Sequence, residues 1–463
     1  MRGRGRGRKL VRPALALLVG LLAATGAQAQ VLSILSRDAL AADPGLAGAQ
    51  AQVQAAEQRV VQAQAGFGPT VGITSTSNDS RYNEAPAYDL RRFNSQQTVL
   101  QLTQPLLRNA LLPALEAARA QLEQARAALD QARGDATLKL VEASFEVLKA
   151  RDAVALAGAQ KVAAQEQLQS ARRKFTIGTA TVVDVREAEA KIDTVAALVI
   201  AAQGEFELRQ DVLTELVGRP TPELLDRGLN GETMPPLKAA EVLGWIADAQ
   251  LHSPQLVQAQ KALLAAQAEL RKAWQGHAPT ADLVYSYTRS SDSGTVTSVF
   301  PRRGNISQLG VNVSIPLFAS GGTQARVKEV SALRDKADSD VEVARRTVQL
   351  GVRQNFTATL SAISLARGLL TATRSLEIAM LANRRAYEVG MKVNAEVLEA
   401  QSKVFESRRD LSRARYDAWL SFLRLKSFAG QLFDSDVQGL DAVLVLEPST
   451  GLRGISAARE AGL

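Results

Sequence analysis

The sequence predicts a mainly α chain with a transmembrane β-barrel portion, in which long helical hairpins and four strands arise from a duplication. Three observations predict it: landmarks recurring about 210 residues apart, alanine-rich stretches with an a/d seam too long for one globular domain, and short segments with apolar side chains at every second position.

The repeat is legible residue by residue. Asp43-Pro44-x-Leu46 returns as Ser253-Pro254-x-Leu256, and Gly66-Phe67-Gly68-Pro69-Thr70 as Gly276-His277-Ala278-Pro279-Thr280. Further on, Pro105-Leu106 maps to Pro316-Leu317, Phe145 to Phe356, Phe175-x-x-Gly178 to Tyr387-x-x-Gly390, and Asp184-Val185 to Glu396-Val397. The expected organisation is a signal segment at 1–29, a first unit of helix, strand pair and long helical hairpin at 30–230, a second such unit at 231–445, and a disordered C-terminal tail at 446–463.

The signal assignment rests on Arg2, Arg4, Arg6, Arg8, Lys9 and Arg12, followed by the apolar stretch from Ala14 to Ala24 and the small-x-small site Ala27-Gln28-Ala29. That stretch falls short of the roughly 20 residues a spanning helix needs. Six of the positive charges lie in this segment, so the formal net charge of +8 shrinks to about +2 on the mature chain. Nucleic acid is therefore not an expected partner. Cysteine is absent, which excludes disulfides, thiolate metal sites and an acylated N-terminal cysteine.

Each half then follows one order. Helical runs from Val31 to Ala65 and from Ala239 to Gln275 are broken only at Asp43-Pro44 and Ser253-Pro254, and Pro69 and Pro279 stop them. Strands follow. Leu283, Tyr285 and Tyr287 alternate with Asp282, Ser286 and Thr288, and Leu309, Val311 and Val313 alternate with Gln308, Gly310 and Asn312. In the first half, Val71 and Ile73, then Leu100 and Leu102, do the same. Between the strands, Asn78 to Arg92 and Ser290 to Asn305 read as polar loops. Their Arg91-Arg92 and Arg302-Arg303 pairs suit lipopolysaccharide phosphates, although solvated loop tips are the favoured reading.

After Pro105 and Pro316 come the longest helical runs, Leu107 to Arg173 and Gln324 to Arg385. Leu115, Leu122 and Leu129 with Ala118, Ala125 and Ala132 form an a/d seam, and Ala337, Val341, Ala344 and Val348 repeat it. Gly178 and Gly390 interrupt the runs, and helices return to Val217 and Gly430. The two irregular pieces, Arg219 to Pro236 and from Gln431 onward, are expected to lie together. Four strands of about ten residues cannot close a barrel, because the smallest need about eight. The chain must therefore oligomerise, and three copies would supply twelve strands.

With these elements in place, the chain resembles the TolC family of outer-membrane channel proteins over roughly Ser33 to Val443. The resemblance is carried by Asp43-Pro44-x-Leu46, Gln101-Leu102-Thr103-Gln104-Pro105-Leu106, Phe175-x-x-Gly178, Gly276-His277-Ala278-Pro279-Thr280, Val313-Ser314-Ile315-Pro316-Leu317-Phe318 with Gly321-Gly322, and Tyr387-x-x-Gly390 with Glu396-Val397. It implies a homotrimer, with a twelve-strand barrel among outer-membrane lipid and a twelve-helix periplasmic tunnel. It also implies a periplasmic adaptor (membrane fusion protein) and an inner-membrane ABC or proton-driven pump as partners in type I protein secretion or small-molecule efflux. No cofactor is implied.

The same resemblance assigns residues. Glu396 and Glu399, on one helix face, match a periplasmic constriction that could hold an inhibitory polyvalent cation, with glutamates where the family has aspartates. Asp184, Lys392, Tyr387 and Gln167 match a closed-state lock, with Lys392 replacing an arginine and Val183 a hydroxyl residue. Gly178, Thr179, Gly390 and Met391 fall on adaptor-contacting tips. No catalytic set and no metal site are apparent, since His252 and His277 stand apart. A poreless coiled-coil adaptor shares the signal and the heptads, and is separated from this reading by the paired strands in both halves.

Overall fold

The computed structural model describes residues 31–84, 89–229, 233–295 and 300–446. The expected signal segment at 1–29, and all but the first residue of the expected tail at 446–463, lie outside them. In chain order the helices and strands are α1 (Val31–Ala42), α2 (Pro44–Ala65), β1 (Thr70–Glu84), β2 (Asp89–Leu107), α3 (Leu111–Thr176), α4 (Val182–Val217), the short α5 (Pro222–Leu225) and β3 (Arg227–Leu229). The second half contributes α6 (Val242–His252), α7 (Pro254–Trp274), β4 (Thr280–Asp292), β5 (Arg302–Ser314), α8 (Gly322–Glu388), α9 (Asn394–Phe428), α10 (Asp434–Val443) and β6 (Leu444–Leu446). No described helix is long and apolar enough to cross a membrane.

Two compact units are built from alternating pieces of the chain. One comprises Gly48–Leu129 and Pro254–Arg345 and holds a four-stranded sheet, ordered β1-β2-β4-β5 and antiparallel throughout. The register aligns the alternating residues of both halves: Val71 faces Leu102, Leu102 faces Tyr285, and Tyr285 faces Leu309. All four therefore share one side of the sheet, because side chains alternate with period two. Val71, Ile73, Leu309, Val311 and Val313 on that side are largely exposed. An apolar sheet face of this kind is costly in water and at home in lipid.

Two sequence expectations are corrected here. The first segment read as a loop is mostly strand, since β1 and β2 pair from Thr70↔Thr103 out to Glu84↔Asp89, and the second is strand at both ends, since β4 and β5 pair out to Asp292↔Arg302. The strands are 15, 19, 13 and 13 residues long instead of about ten. Apolar alternation stops where the apolar face ends, but backbone pairing needs only unblocked N–H and C=O groups, so a polar hairpin runs on. Pro105 does not end its strand either. It sits at a register shift between Pro105 and Leu107, where the ladder is interrupted and a missing donor costs nothing. At this end Arg108 donates from Nε and Nη2 to both carboxylate oxygens of Asp282, at 3.0 and 2.9 Å.

The other unit comprises residues up to Ala47, Asp130–Ser253 and from Arg346 on. Its core gathers Leu32 and Leu35 of α1, Leu140, Phe145 and Leu148 of α3, Leu213 and Val217 of α4, Tyr416, Leu420 and Leu423 of α9, and Val437 and Leu440 of α10. Phe145 and Tyr416 stack tilted, with centroids 5.3 Å apart. Gly351 of α8 is required by packing, since a Cβ there would lie 2.2 Å from the Phe428 ring.

The two irregular pieces meet in this unit, where β3 and β6 pair antiparallel. Arg415 donates to the Leu229 carbonyl and Trp419 Nε1 to the Thr233 carbonyl, which holds the crossover against α9. The buried Asp441 carboxylate accepts from the Leu32 and Ser33 amides and the Ser33 hydroxyl at 2.7, 3.0 and 2.7 Å. It caps the start of α1 from a helix 409 residues away in sequence.

Candidate functional site at the hairpin tips

Both long hairpins turn by the same device. At the α3–α4 tip, the Thr179 amide reaches back to the Lys174 carbonyl at 2.8 Å and Gly178 adopts φ +77°. At the α8–α9 tip, the Met391 amide reaches the Ala386 carbonyl at 2.9 Å and Gly390 adopts φ +82°. This is the six-to-one closure of a helix by a left-handed residue, and it explains why both positions are glycine. Ile177, Val389 and Met391 project from the tips, Met391 at 77 % exposure.

The helices leave the turns differently. Thr181 caps α4: its hydroxyl accepts the Asp184 amide, and the Asp184 carboxylate accepts the Thr181 amide at 2.8 Å. Asp184 is thus placed by its own helix start. The equivalent cap of α9 is Val393, whose side chain has no oxygen to offer.

The next residue, Asn394, is fully buried and joins the two hairpins. It accepts a hydrogen bond from the Gln167 amide of α3, and its own amide donates to the Asp184 carbonyl of α4 at 3.2 Å. Sequence reading did not single out Asn394. Its signal was faint, an asparagine at a helix start where capping is the ordinary explanation.

Among the residues expected to act together, Gln167 and Asp184 are linked through Asn394. Tyr387 is buried beneath Lys174, whose Nζ lies 3.5 Å from the ring centroid and donates to the Tyr387 carbonyl at 3.1 Å. The Tyr387 hydroxyl is buried with no hydrogen-bond partner among the described residues. Burial, with a smaller contribution from the Asp184 charge, raises its pKa, so it stays protonated and remains a donor. Lys392 is not joined to Asp184. It pairs with Glu396, four residues on in the first turn of α9, at 2.5 Å.

Glu399 pairs in the same way with Lys403 at 2.6 Å, and that hydrogen bond lowers its pKa. Both glutamates are substantially exposed. Among the described residues of the single chain, no group of three or more His, Cys, Asp or Glu side chains could hold a metal ion.

A sheet with one exposed apolar face, attached in sequence to two long helical hairpins, defines a class: an outer-membrane channel protein whose helices extend into the periplasm. The particular family follows from comparison. A family model described as outer membrane efflux protein matches residues 35–219 and 245–431, and the chain belongs to that family.

The chain is 28 % identical over 412 residues to outer membrane protein TolC of Vibrio cholerae, covering 87 % of this chain and 91 % of that one. It is 26 % identical over 368 residues to the alkaline protease secretion protein AprF of Pseudomonas aeruginosa, covering 79 % and 75 %. The crystal structure of the Campylobacter jejuni CmeC outer membrane channel shares the fold, with a TM-score of 0.72 at 15 % identity, covering 89 % of each chain.

Proposed function

We propose that three copies of this chain close into a twelve-strand barrel and a twelve-helix tunnel. This assembly is the outer-membrane exit duct of a tripartite system with a periplasmic adaptor and an inner-membrane pump. The observation that carries the trimer is the sheet itself. Its edge strands, β1 and β5, each have a neighbour on one side only, and its apolar face is exposed. An open edge in lipid leaves a row of backbone groups unpaired, so the edges must be closed by other copies. A relative named for alkaline protease secretion and a family described as outer membrane efflux proteins support secreted proteins and effluxed small molecules as cargo classes.

Within the duct, Glu396 and Glu399 form two stacked carboxylate rings at the periplasmic constriction. Their i, i+3 spacing and exposure support this. The paired Lys392 and Lys403 each offset one charge, so the rings bind polyvalent cations less tightly than unpaired carboxylates would. The closed state is held at Gln167, Asp184, Tyr387 and Lys392. The orphaned Tyr387 hydroxyl supports this, since a buried donor without a partner costs about 1–3 kcal/mol and a neighbouring protomer can supply the acceptor. Gly178, Thr179, Gly390 and Met391 present the adaptor contact.

Reconstitution tests the reading. Detergent-extracted protein should run as a trimer and conduct ions in planar bilayers, and a monomer soluble without detergent overturns it. With the channel established, Glu396→Gln combined with Glu399→Gln should relieve block by polyvalent cations added on the periplasmic side. Unchanged block removes the constriction assignment while leaving the channel.

A further inference from the structure

The arginines near the outward end of the sheet are sorted by its register. Arg81 faces Arg92 across β1 and β2; Arg289 pairs with Asn305, and Arg303 with Ser291. Counting alternate residues from Val71, Leu102, Tyr285 and Leu309 places Arg81, Arg92, Arg289 and Arg303 on the apolar side of the sheet. Arg302 falls on the opposite side, in register with Asp292. The sequence pair Arg302-Arg303 is therefore divided between the two faces, which a loop would have no reason to do.

All four arginines on the apolar side are exposed, and none has an ion-pair partner among the described residues. One carboxylate, Asp79, shares that side of the strands, one alternate position from Arg81. Arg81 and Arg92 stand directly opposite, where Cβ atoms approach to about 4.5–5.5 Å and like charges destabilise the pair. An anion between them removes that repulsion.

Their depth is graded. Arg289 lies two residues beyond Tyr287, about 7 Å along the strand, and Arg81 and Arg92 each lie eight residues beyond Ile73 and Leu100, about 27 Å along it. With the usual barrel tilt, the span beyond the apolar band shortens to about 20 Å along the membrane normal. A layer that deep matches a phosphorylated sugar headgroup better than a thin phospholipid surface. Ser75, Ser77, Gln96 and Thr98 occupy the same side between the two tiers and offer hydroxyl and amide partners for sugars.

We propose that Arg81, Arg92, Arg289 and Arg303 form a lipid-facing band that binds the phosphates of a glycolipid in the outer leaflet. Guanidinium groups suit this through paired N–H···O bonds to phosphate oxygens. The solvated-loop reading favoured on sequence is replaced, because these arginines are strand residues on the lipid side.

The proposal rests on the barrel reading, and the test separates the two. The full protein is placed in vesicles of phosphatidylcholine alone, or with lipopolysaccharide bearing a phosphorylated core oligosaccharide, the same lipopolysaccharide dephosphorylated, or phosphatidylglycerol, and thermal melting of the assembly is followed. The phosphorylated glycolipid should raise the melting temperature, and the other two additions should raise it much less. The quadruple variant R81Q/R92Q/R289Q/R303Q should bind the phosphorylated glycolipid about tenfold more weakly or worse, while R302Q keeps wild-type binding. An equal response to the dephosphorylated glycolipid or to phosphatidylglycerol overturns the proposal, as does an unchanged quadruple variant. If that variant does not insert, the wild-type comparison between the phosphorylated and dephosphorylated glycolipid decides alone. Ion conductance in phosphatidylcholine alone reads the channel separately: a conducting but glycolipid-blind protein overturns this inference only.

Discussion

The two hairpin tips share an ancestor and a turn geometry, yet they distribute their polar groups in opposite ways. At the first tip, Thr181 and Asp184 satisfy each other, so the acidic side chain is consumed in starting its helix. At the second, Val393 stands where the threonine would be, and the equivalent acid, Glu396, is released to pair with Lys392 on an exposed face. The presence or absence of one hydroxyl thus separates a carboxylate that caps its helix from one that pairs with a lysine. The buried Asn394 accompanies that change and makes the second helix start depend on the first hairpin. The two tips share one turn, and their different caps leave one acid in a supporting role and the other on an exposed face as a candidate ion site.

Breaking the dependence should have the largest effect. Asn394→Ala leaves the buried Gln167 amide and the Asp184 carbonyl without this partner, at a cost of about 2–3 kcal/mol at the tips. The variant should show raised resting conductance in planar bilayers and earlier proteolysis near Gly390, and a wild-type closed level would show that Asn394 does not join the hairpins.

Exchanging the caps sharpens the comparison. Val393→Thr recreates a threonine with a glutamate three residues on, which should stabilise α9 by about 1 kcal/mol and draw Glu396 into the cap. Cation block should weaken even though no charge has been removed. The mirror change, Thr181→Val, should cost the first tip about 1 kcal/mol without altering block. Melting and block measured on the same pair of proteins decide both expectations.

The smallest effect is one of pH. Lys403 lowers the Glu399 pKa, so the ion pair contributes above the ordinary glutamate range and is lost as pH falls through the depressed value. Block by a polyvalent cation should therefore persist below the usual glutamate titration, and Lys403→Met should return its midpoint toward that of a free glutamate. A midpoint insensitive to Lys403 would place the bound cation elsewhere.

Much of the fold was legible because it obeys periodicities. Val71, Leu102, Tyr285 and Leu309 announce one sheet face, and Leu115 with Ala118, or Val341 with Ala344, announces a helical seam that is buried in the structure. The outer halves of the strands were hidden because Ser, Asn and Arg report solvent, whereas backbone pairing leaves no mark on side-chain polarity. Strand continuation through Pro105 was hidden by the same rule that usually ends an element at proline. At the site, Gly178 and Gly390 were readable as turn residues, while the partner chosen by Lys392 was not. A lysine has several carboxylates within reach, and only folded geometry selects Glu396 over Asp184.

The carboxylate of Asp441 has an entropic side as well. By capping α1 across 409 residues, it closes one of the longest loops the chain can form, and closure of a loop that long carries a larger entropic cost than a local contact does. Until Asp441 arrives, the first amides of α1 lack this cap, which is worth about 1 kcal/mol, so the start of the described chain gains its full stability only when its far end has folded.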